Sequence, residues 1–175
     1  KVLIVTDAAI NIAPTLDDKV DICQNAIDLA RSLGLEKPKV AILAAVETVN
    51  SKMPSTIHAA ALCKMAERGQ ITGGVLDGPL AFDNAISKEA AKIKGIKSEV
   101  AGDPDILLVP DLEAGNMLAK QLSFLANAES AGLVLGAKVP IILTSRADSV
   151  RARIASCAVA MLVAHARRQG AMQAS

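Results

Sequence analysis

Short, almost wholly apolar runs alternate along this chain with longer stretches in which apolar residues recur every three to four positions. Residues 2–6, 39–44, 72–76 and 106–109 are runs of the first kind, which is how strands covered on both sheet faces read. Residues 133–135 and 139–143 are two more, set around Gly136. Between them the period changes to that of helices. Leu16, Val20, Cys23, Ile27 and Ala30 predict a helix over 16–33, capped by Thr15, favoured at its positive end by Asp18 and stopped by Gly34. Ser55 predicts the cap of a second helix through Arg68, ended by Gly69. Asp77-Gly78-Pro79 predicts a turn closing the third strand. Further helices are expected over 82–94, over 116–126, and from near Ser149 past His165, with 170–175 fraying.

Strands and helices in alternation imply an α/β domain, a mostly parallel sheet with helices on both faces and right-handed crossovers. Ligands of such open sheets bind beyond the carboxyl ends of the strands. Polar clusters follow the strands here, at 7–11, 47–55, 77–83, 111–116 and 145–149, and their placement predicts a single cleft.

Composition narrows this picture. The chain has 175 residues, 51% hydrophobic, but no Trp or Tyr and two Phe, so the core must be aliphatic. At this length a chain buries roughly 70% of its unfolded surface, enough for a core without staples. Nineteen Lys and Arg against eighteen Asp and Glu give a formal charge of +1, which offers no general attraction to nucleic acid or anionic membranes. No run reaches the roughly 18 apolar residues of a membrane span. Cys23, Cys63 and Cys157 are far apart and form no paired motif, so they read as reduced thiols packed in a cytoplasmic protein. Lys1 stands directly before a core strand, with no initiator Met, which suggests a processed, truncated or excised chain.

The candidate chemistry concentrates where an apolar strand runs into Ser145, Arg146, Asp148 and Ser149 and then into a helix. Hydroxyls, a fixed positive fork and free backbone N–H groups at a helix start suit phosphate or another small oxyanion. Alternatively Ser145 caps a turn and Arg146 lies in solvent. Asp77 and Asp83 read as a turn residue and a helix cap, or as a cleft wall. Around Gly115, Asp111, Asn116 and Lys120 read as turn and cap residues or as ligand contacts, and Asn11 lies in a loop at the cleft. His58 and His165 stand isolated, so packed or surface roles are expected and no metal site.

Four segments occur together in order: Thr6-Asp-Ala-Ala-Ile-Asn11, Asp77-Gly-Pro-Leu-Ala-Phe-Asp-Asn84, Val109-Pro-Asp-Leu-Glu-Ala-Gly-Asn116 and Leu143-Thr-Ser-Arg-Ala-Asp-Ser149. In that order and spacing the chain resembles the phosphate acetyl- and butyryltransferase family, and the Ser-Arg-Ala-Asp-Ser form is closer to the butyryltransferase-like branch. The resemblance implies an αβα sandwich of isocitrate/isopropylmalate dehydrogenase-like architecture, one domain of a two-domain enzyme with its active site between domains. Residues 1–143 would be the second domain and 144–175 a segment returning to an absent first domain. Some members are also fused to an enoyl-CoA hydratase domain.

The activity so implied is reversible acyl transfer between coenzyme A and inorganic phosphate, with acyl-CoA and phosphate as substrates, no cofactor, no metal and a homo-oligomeric assembly. Ser145 would stabilise the oxyanion-bearing transition state and Arg146 would bind the acyl phosphate. The family aspartate seven residues beyond the serine is Ala152 here. Asp148, one helical turn nearer, is then either the base or an N-terminal carboxylate of the last helix. Ser149 is a helix cap or a phosphate ligand, and Asn11 and Asn116 are substrate-binding candidates. Ala8 stands where some members carry cysteine. With half the cleft missing, the 175-residue chain is expected to be inactive. Two other readings are a same-fold decarboxylating dehydrogenase, which would need clustered metal-binding aspartates and a dinucleotide fingerprint that the sequence does not display, and a non-catalytic oligomerisation domain with Ala-rich contact helices.

Overall fold

The computed structural model of the chain describes residues 1–170. In chain order its elements are β1 (Ile4–Thr6), α1 (Leu16–Ser32), β2 (Lys39–Leu43), α2 (Pro54–Glu67), β3 (Val75–Leu80), α3 (Phe82–Ile86), α4 (Lys88–Ile93), β4 (Ile106–Leu108), α5 (Leu112–Phe124), β5 (Leu133–Val134), β6 (Ile141–Ile142) and α6 (Val150–Arg168). The fraying expected over 170–175 lies, past Gly170, outside the described residues.

Four strands pair in parallel in the order β1-β4-β2-β3. Side chains alternate across this sheet. Val40, Ile42, Ile106 and Leu108 pack with Cys23, Ala26, Ile27 and Ala30 of α1 and with Ala59 and Leu62 of α2. Ala41, Leu43, Leu107 and Val109 face the other way, with Ala85 of α3, Val100 and Leu118 of α5. Helices thus cover both faces, and the α/β sandwich with a parallel sheet expected from the apolar runs is present.

α1 opens on a reciprocal cap. Thr15 Oγ1 accepts from Asp18 N at 3.2 Å, and the Asp18 carboxylate accepts from Thr15 N at 2.8 Å. α2 begins two residues earlier than a cap at Ser55 implies. Pro54 takes its first position, where a missing N–H costs nothing, and Ser55 caps nothing. The helix expected over 82–94 is split at Ser87, which ends α3 and caps α4 through Ala90 N. α5 starts at Leu112 because Asp111 caps it, accepting from Ala114 N at 2.9 Å.

The turn expected at Asp77-Gly78-Pro79 is instead part of β3. Ala41 faces Asp77 while Leu43 faces Leu80, so β3 carries one extra residue, a bulge. β3 is the sheet edge, where a proline lacking an N–H does least harm. Gly78 is required by proximity, since a Cβ there would stand 2.8 Å from both Ile42 O and Ile42 Cβ.

β5 and β6 do not join the parallel sheet. They pair antiparallel as a separate hairpin. α6 packs against both β6 and α1. Its Ser156 accepts from Gly132 N at 3.0 Å, and Arg167 donates to Ala137 O at 2.7 Å. Ser156, Ala160, Val163 and Ala166 form its buried stripe, while Val150, Ile154, Met161 and Leu162 remain exposed. Cys23 is buried and Cys63 half-buried, as packing requires, but Cys157 is exposed on α6. Burial, helped at Cys23 by Cys63 and at Cys63 by Asp77 and Glu67, pushes both inner thiols up to about 12, so neither is a thiolate at neutral pH. Among the described residues, no helix is long and apolar enough to cross a membrane.

Candidate functional site

β1 and β4 are neighbours, yet the chain leaves them toward helices on opposite faces, α1 and α5. A crevice opens where neighbouring strands diverge in this way. Asp7, the first residue past β1, organises its loop. Its carboxylate accepts from the N–H groups of Ala9 at 2.8 Å, Ile10 at 3.0 Å and Asn11 at 2.8 Å, and from the Asn11 amide at 2.7 Å. Burial alone would raise the Asp7 pKa, but these donors together outweigh it and hold the carboxyl below its usual range. The facing wall is the start of α5. Asn116 Nδ2 donates to Ala8 O at 3.1 Å, and Leu112 N donates to Ile12 O at 3.2 Å. Gly115 is buried between them, and a Cβ there would stand 2.5 Å from Asp7 O. Asn11 and Asn116 therefore do meet in one crevice, where both amides bind the protein itself.

Between α1 and α2 lies a group that the sequence reading passed over. Lys19, in the first turn of α1, is 5% exposed. Its Nζ lies 3.2 Å from Nδ1 of His58 on α2. Burial lowers the Lys19 pKa, with Asp111 at the α5 cap acting against it, and burial and then the Lys19 charge lower that of His58. The signal was present, because Lys19 falls on the stripe of Cys23, Ala26 and Ala30, a buried position for an ammonium. His58 is accordingly not isolated, whereas His165 is exposed in the last turn of α6.

A second polar group joins the loops after β2 and β3. Glu47 accepts from the Asn84 amide at 3.1 Å and from Lys94 at 3.2 Å, and Lys94 also pairs with Asp83 at 3.0 Å. The Lys94 bond holds the Asp83 carboxyl below its usual range. Asp83 lies within the first turn of α3 rather than at its cap, which falls on Ala81. Asp77 bonds its own neighbour, Gly78 N, at 2.8 Å. Asn84 is fully buried, and its Oδ1 has no hydrogen-bond partner among the described residues.

The turn after β6 is arranged differently. Asp148 Oδ2 accepts from Ser145 N at 2.6 Å, Asp148 N donates to Ser145 O at 3.1 Å, and Ala147 N donates to Ser145 Oγ at 3.3 Å. Ser149 caps α6 by accepting from Ala152 N at 3.1 Å. Asp148 and Ser149 thus have structural duties, while Ser145 and Arg146 are exposed. β6 belongs to the hairpin, so this turn does not follow a strand of the parallel sheet, and the expected set of five loops on one sheet reduces to four. Lys120 is exposed on α5. A concavity of about 540 Å³ lies at the opposite, amino edge, lined by Lys39, Lys88, Lys92 and Lys97 among others. No group of three or more His, Cys, Asp or Glu among the described residues could hold a metal ion.

Comparison with known proteins fits this layout. The family model described as phosphate acetyl/butaryl transferase matches residues 1–161. A phosphate acetyltransferase of Rhizobium meliloti is 72% identical over 99% of this chain and 54% of its own length. A phosphate butyryltransferase of Clostridium acetobutylicum is 49% identical over 94% of this chain and 54% of its own. Among solved structures, a branched-chain phosphotransacylase from Enterococcus faecalis superposes with a TM-score of 0.83 at 40% identity, over 92% of this chain and 58% of that one. The chain spans about half the length of the curated relatives it matches. With most of its length matched by the family and its parallel sheet shared with a solved relative, the chain belongs to the phosphate acetyl/butyryltransferase family.

Proposed function

We propose that this chain is part of an acyltransferase that moves an acyl group reversibly between coenzyme A and inorganic phosphate. The observation that carries this reading is the 72% identity, along nearly the whole chain, to a protein named phosphate acetyltransferase. Acyl transfer from coenzyme A to phosphate needs a seat for an anion and donors for a tetrahedral oxyanion. Arg146 offers a guanidinium suited to phosphate, and the hydroxyl of its sequence neighbour Ser145 would be the oxyanion donor. Asp148 is the nearest carboxylate to Ser145 that could take the thiol proton, in place of the family aspartate at the position of Ala152. Its bond to Ser145 N is the competing duty. Coenzyme A enters as a substrate, and no resident cofactor is part of this reading.

The same reading makes this chain one domain of a two-domain, isocitrate/isopropylmalate dehydrogenase-like enzyme, cytoplasmic and homo-oligomeric. Its last part would return to another domain. Support comes from the separate hairpin and from the exposed apolar side chains of Ile141, Ile142, Leu143, Val150, Ile154, Met161 and Leu162. Such a run of exposed aliphatics is what a second packing layer would cover. Because the hairpin packs with α6, the returning unit would begin near residue 133 rather than at 144.

A coupled assay with coenzyme A, phosphate and acyl phosphates tests the activity in a protein of the relatives' full length. Arg146→Ala should lower kcat/KM by about 1.5–3 kcal/mol, roughly ten- to a hundredfold. Unchanged turnover would overturn the assignment of Arg146. The 175-residue chain alone should show no turnover, and robust activity from it would overturn the two-domain reading.

A further inference from the structure

We propose that the concavity of about 540 Å³ at the amino edge of the sheet binds a small organic polyphosphate of mononucleotide size, held by Lys88, Lys92 and Lys97. The proposal goes beyond the acyltransferase reading and does not rest on it, because the concavity lies across the sheet from the carboxyl-edge crevice between β1 and β4.

Three pieces of chain build the concavity, and each is fixed by backbone bonds. α4 supplies Lys88, Ala91 and Lys92, and Ser87 caps it by accepting from Ala90 N at 3.2 Å. Gly95, at φ +70°, then turns the chain back. Ile96 N donates to Ala91 O at 2.9 Å, and residues 95–99 form the second side. Lys39 at the start of β2, with Ala101 and Asp103 before β4, completes the lining. This third piece is pressed against the first. Gly102 N donates to Ala85 O at 2.8 Å, and a Cβ at Gly102 would stand 2.6 Å from Lys88 Cα. The apolar part of the lining is equally anchored, since Ala91 is buried and Ile96 and Ala101 pack against the core.

The charge around this lining is unbalanced. Four lysines face two carboxylates, Glu99 and Asp103. Asp103 is already shared, with Lys1 at 2.6 Å and Lys39 at 3.3 Å. Lys88, Lys92 and Lys97 have no ion pair among the described residues. Lys88 and Lys92 stand one turn apart on the same face of α4, a like-charge spacing that opposes the helix. A bound anion would turn that repulsion into attraction. Ammonium groups are compact point charges suited to phosphate, and three of them around one concavity suit adjoining phosphates better than a lone carboxylate. The formal charge of the whole chain is +1, so the excess is local and is no general attraction to nucleic acid. A volume of this size belongs to a small-molecule site. Its apolar lining suits a nucleoside, which a bare polyphosphate lacks.

The test titrates ATP into the 175-residue chain at low salt, followed by calorimetry and by NMR. Binding should be saturable, should move the amide signals of Ala91, Ile96 and Ala101, and should leave those of Ala9, Ile10 and Asn11 still. Lys88→Gln combined with Lys92→Gln should weaken it about tenfold, the scale of two lost contacts between exposed charges. Lys52→Gln combined with Lys138→Gln removes the same charge from exposed positions outside the concavity and should leave binding unchanged. Should the α4 pair fail to fold, Lys97→Gln serves instead, with binding weakened about threefold, the scale of one such contact. Coenzyme A is the second probe, since it too carries adjoining phosphates on a nucleoside. Binding of ATP alone identifies the ligand as a free nucleotide. Coenzyme A binding that the α4 pair weakens as much identifies it as the nucleotide end of that molecule. Failure of both probes to move Ile96 overturns the proposal, as does binding untouched by the α4 pair or weakened equally by the control pair. Adenosine that binds as tightly as ATP overturns it as well. None of these readouts uses turnover, so a full-length protein without acyl transfer would sink the proposed function and leave this site standing.

Discussion

In the crevice between β1 and β4 the Asp7 carboxylate and the Asn11 and Asn116 amides are bonded to the protein's own backbone and to one another. In the turn after β6, Ser145 and Arg146 stand exposed on a two-stranded hairpin. Both regions are polar loops at the start of a helix, and from sequence they read alike. Their difference follows from what lies underneath. The crevice sits on four parallel strands packed on both faces, so its loops are short spans between fixed ends. The turn sits on a hairpin whose own Ile141 and Ile142 are exposed, and it is held by local bonds from Asp148 and Ser149. One region is made rigid by the fold, and the other is a local motif waiting for its surroundings.

The widest gap between the two should come from their cores. Leu107 is fully buried in β4, the strand between β1 and β2. Leu107→Ala should cost about 2–5 kcal/mol in urea unfolding. Ile142→Ala on the hairpin should cost about 1 kcal/mol or less, because much of its side chain already meets solvent. Equal losses would mean that the hairpin is as deeply supported as the sheet, and the contrast would fail.

Gly115→Ala sharpens the comparison inside the crevice. A methyl group normally favours a helix, but this one would stand 2.5 Å from Asp7 O and 3.1 Å from Ala8 Cα. Both are backbone and cannot swing aside, so a net loss of about 1–3 kcal/mol is expected. A stabilised variant would show that α5 and the β1 loop are not pressed together.

Asp7→Asn should lose about 1–2 kcal/mol, since a neutral amide replaces a carboxylate holding three backbone donors. The pH dependence has a definite sign. The folded-state pKa is depressed, so the stabilisation is complete above the ordinary carboxylate range and is lost as pH falls through the lower folded value. The acid limb of the stability profile should therefore flatten in Asp7→Asn. A variant with an unchanged acid limb would mean that the loop does not depend on that charge.

How much of this was legible depended on whether the signal was local. Thr15, Asp18 and Ser149 announce their helices because a cap is decided within three residues, and both caps are present. The alternating apolar residues of β2 and β4 announce a sheet covered on both sides. Asp77-Gly78-Pro79 misleads because its turn propensity is local, while its edge place and close contact with Ile42 are set by the partner strand. The hairpin misleads likewise, since Ile141 and Ile142 read as a sheet strand until pairing is known. Within the candidate site, the residues near Ser145 were legible as a motif. The Lys19–His58 contact joins residues 39 apart in sequence and could only be hinted at by a lysine on an apolar stripe.

The smallest stability effect is expected at the residue given the largest functional one. Arg146 is exposed, and the bonds that shape its turn come from Ser145, Ala147, Asp148 and Ser149. Arg146→Ala should therefore change unfolding free energy by no more than about 0.5 kcal/mol, as at other unsupported surface positions. An exposed guanidinium beside this turn is available to a ligand, as the proposed phosphate contact requires. A loss well above that range would mean that the side chain packs against the protein, which would remove both the contrast with the crevice and the argument for a phosphate partner at Arg146.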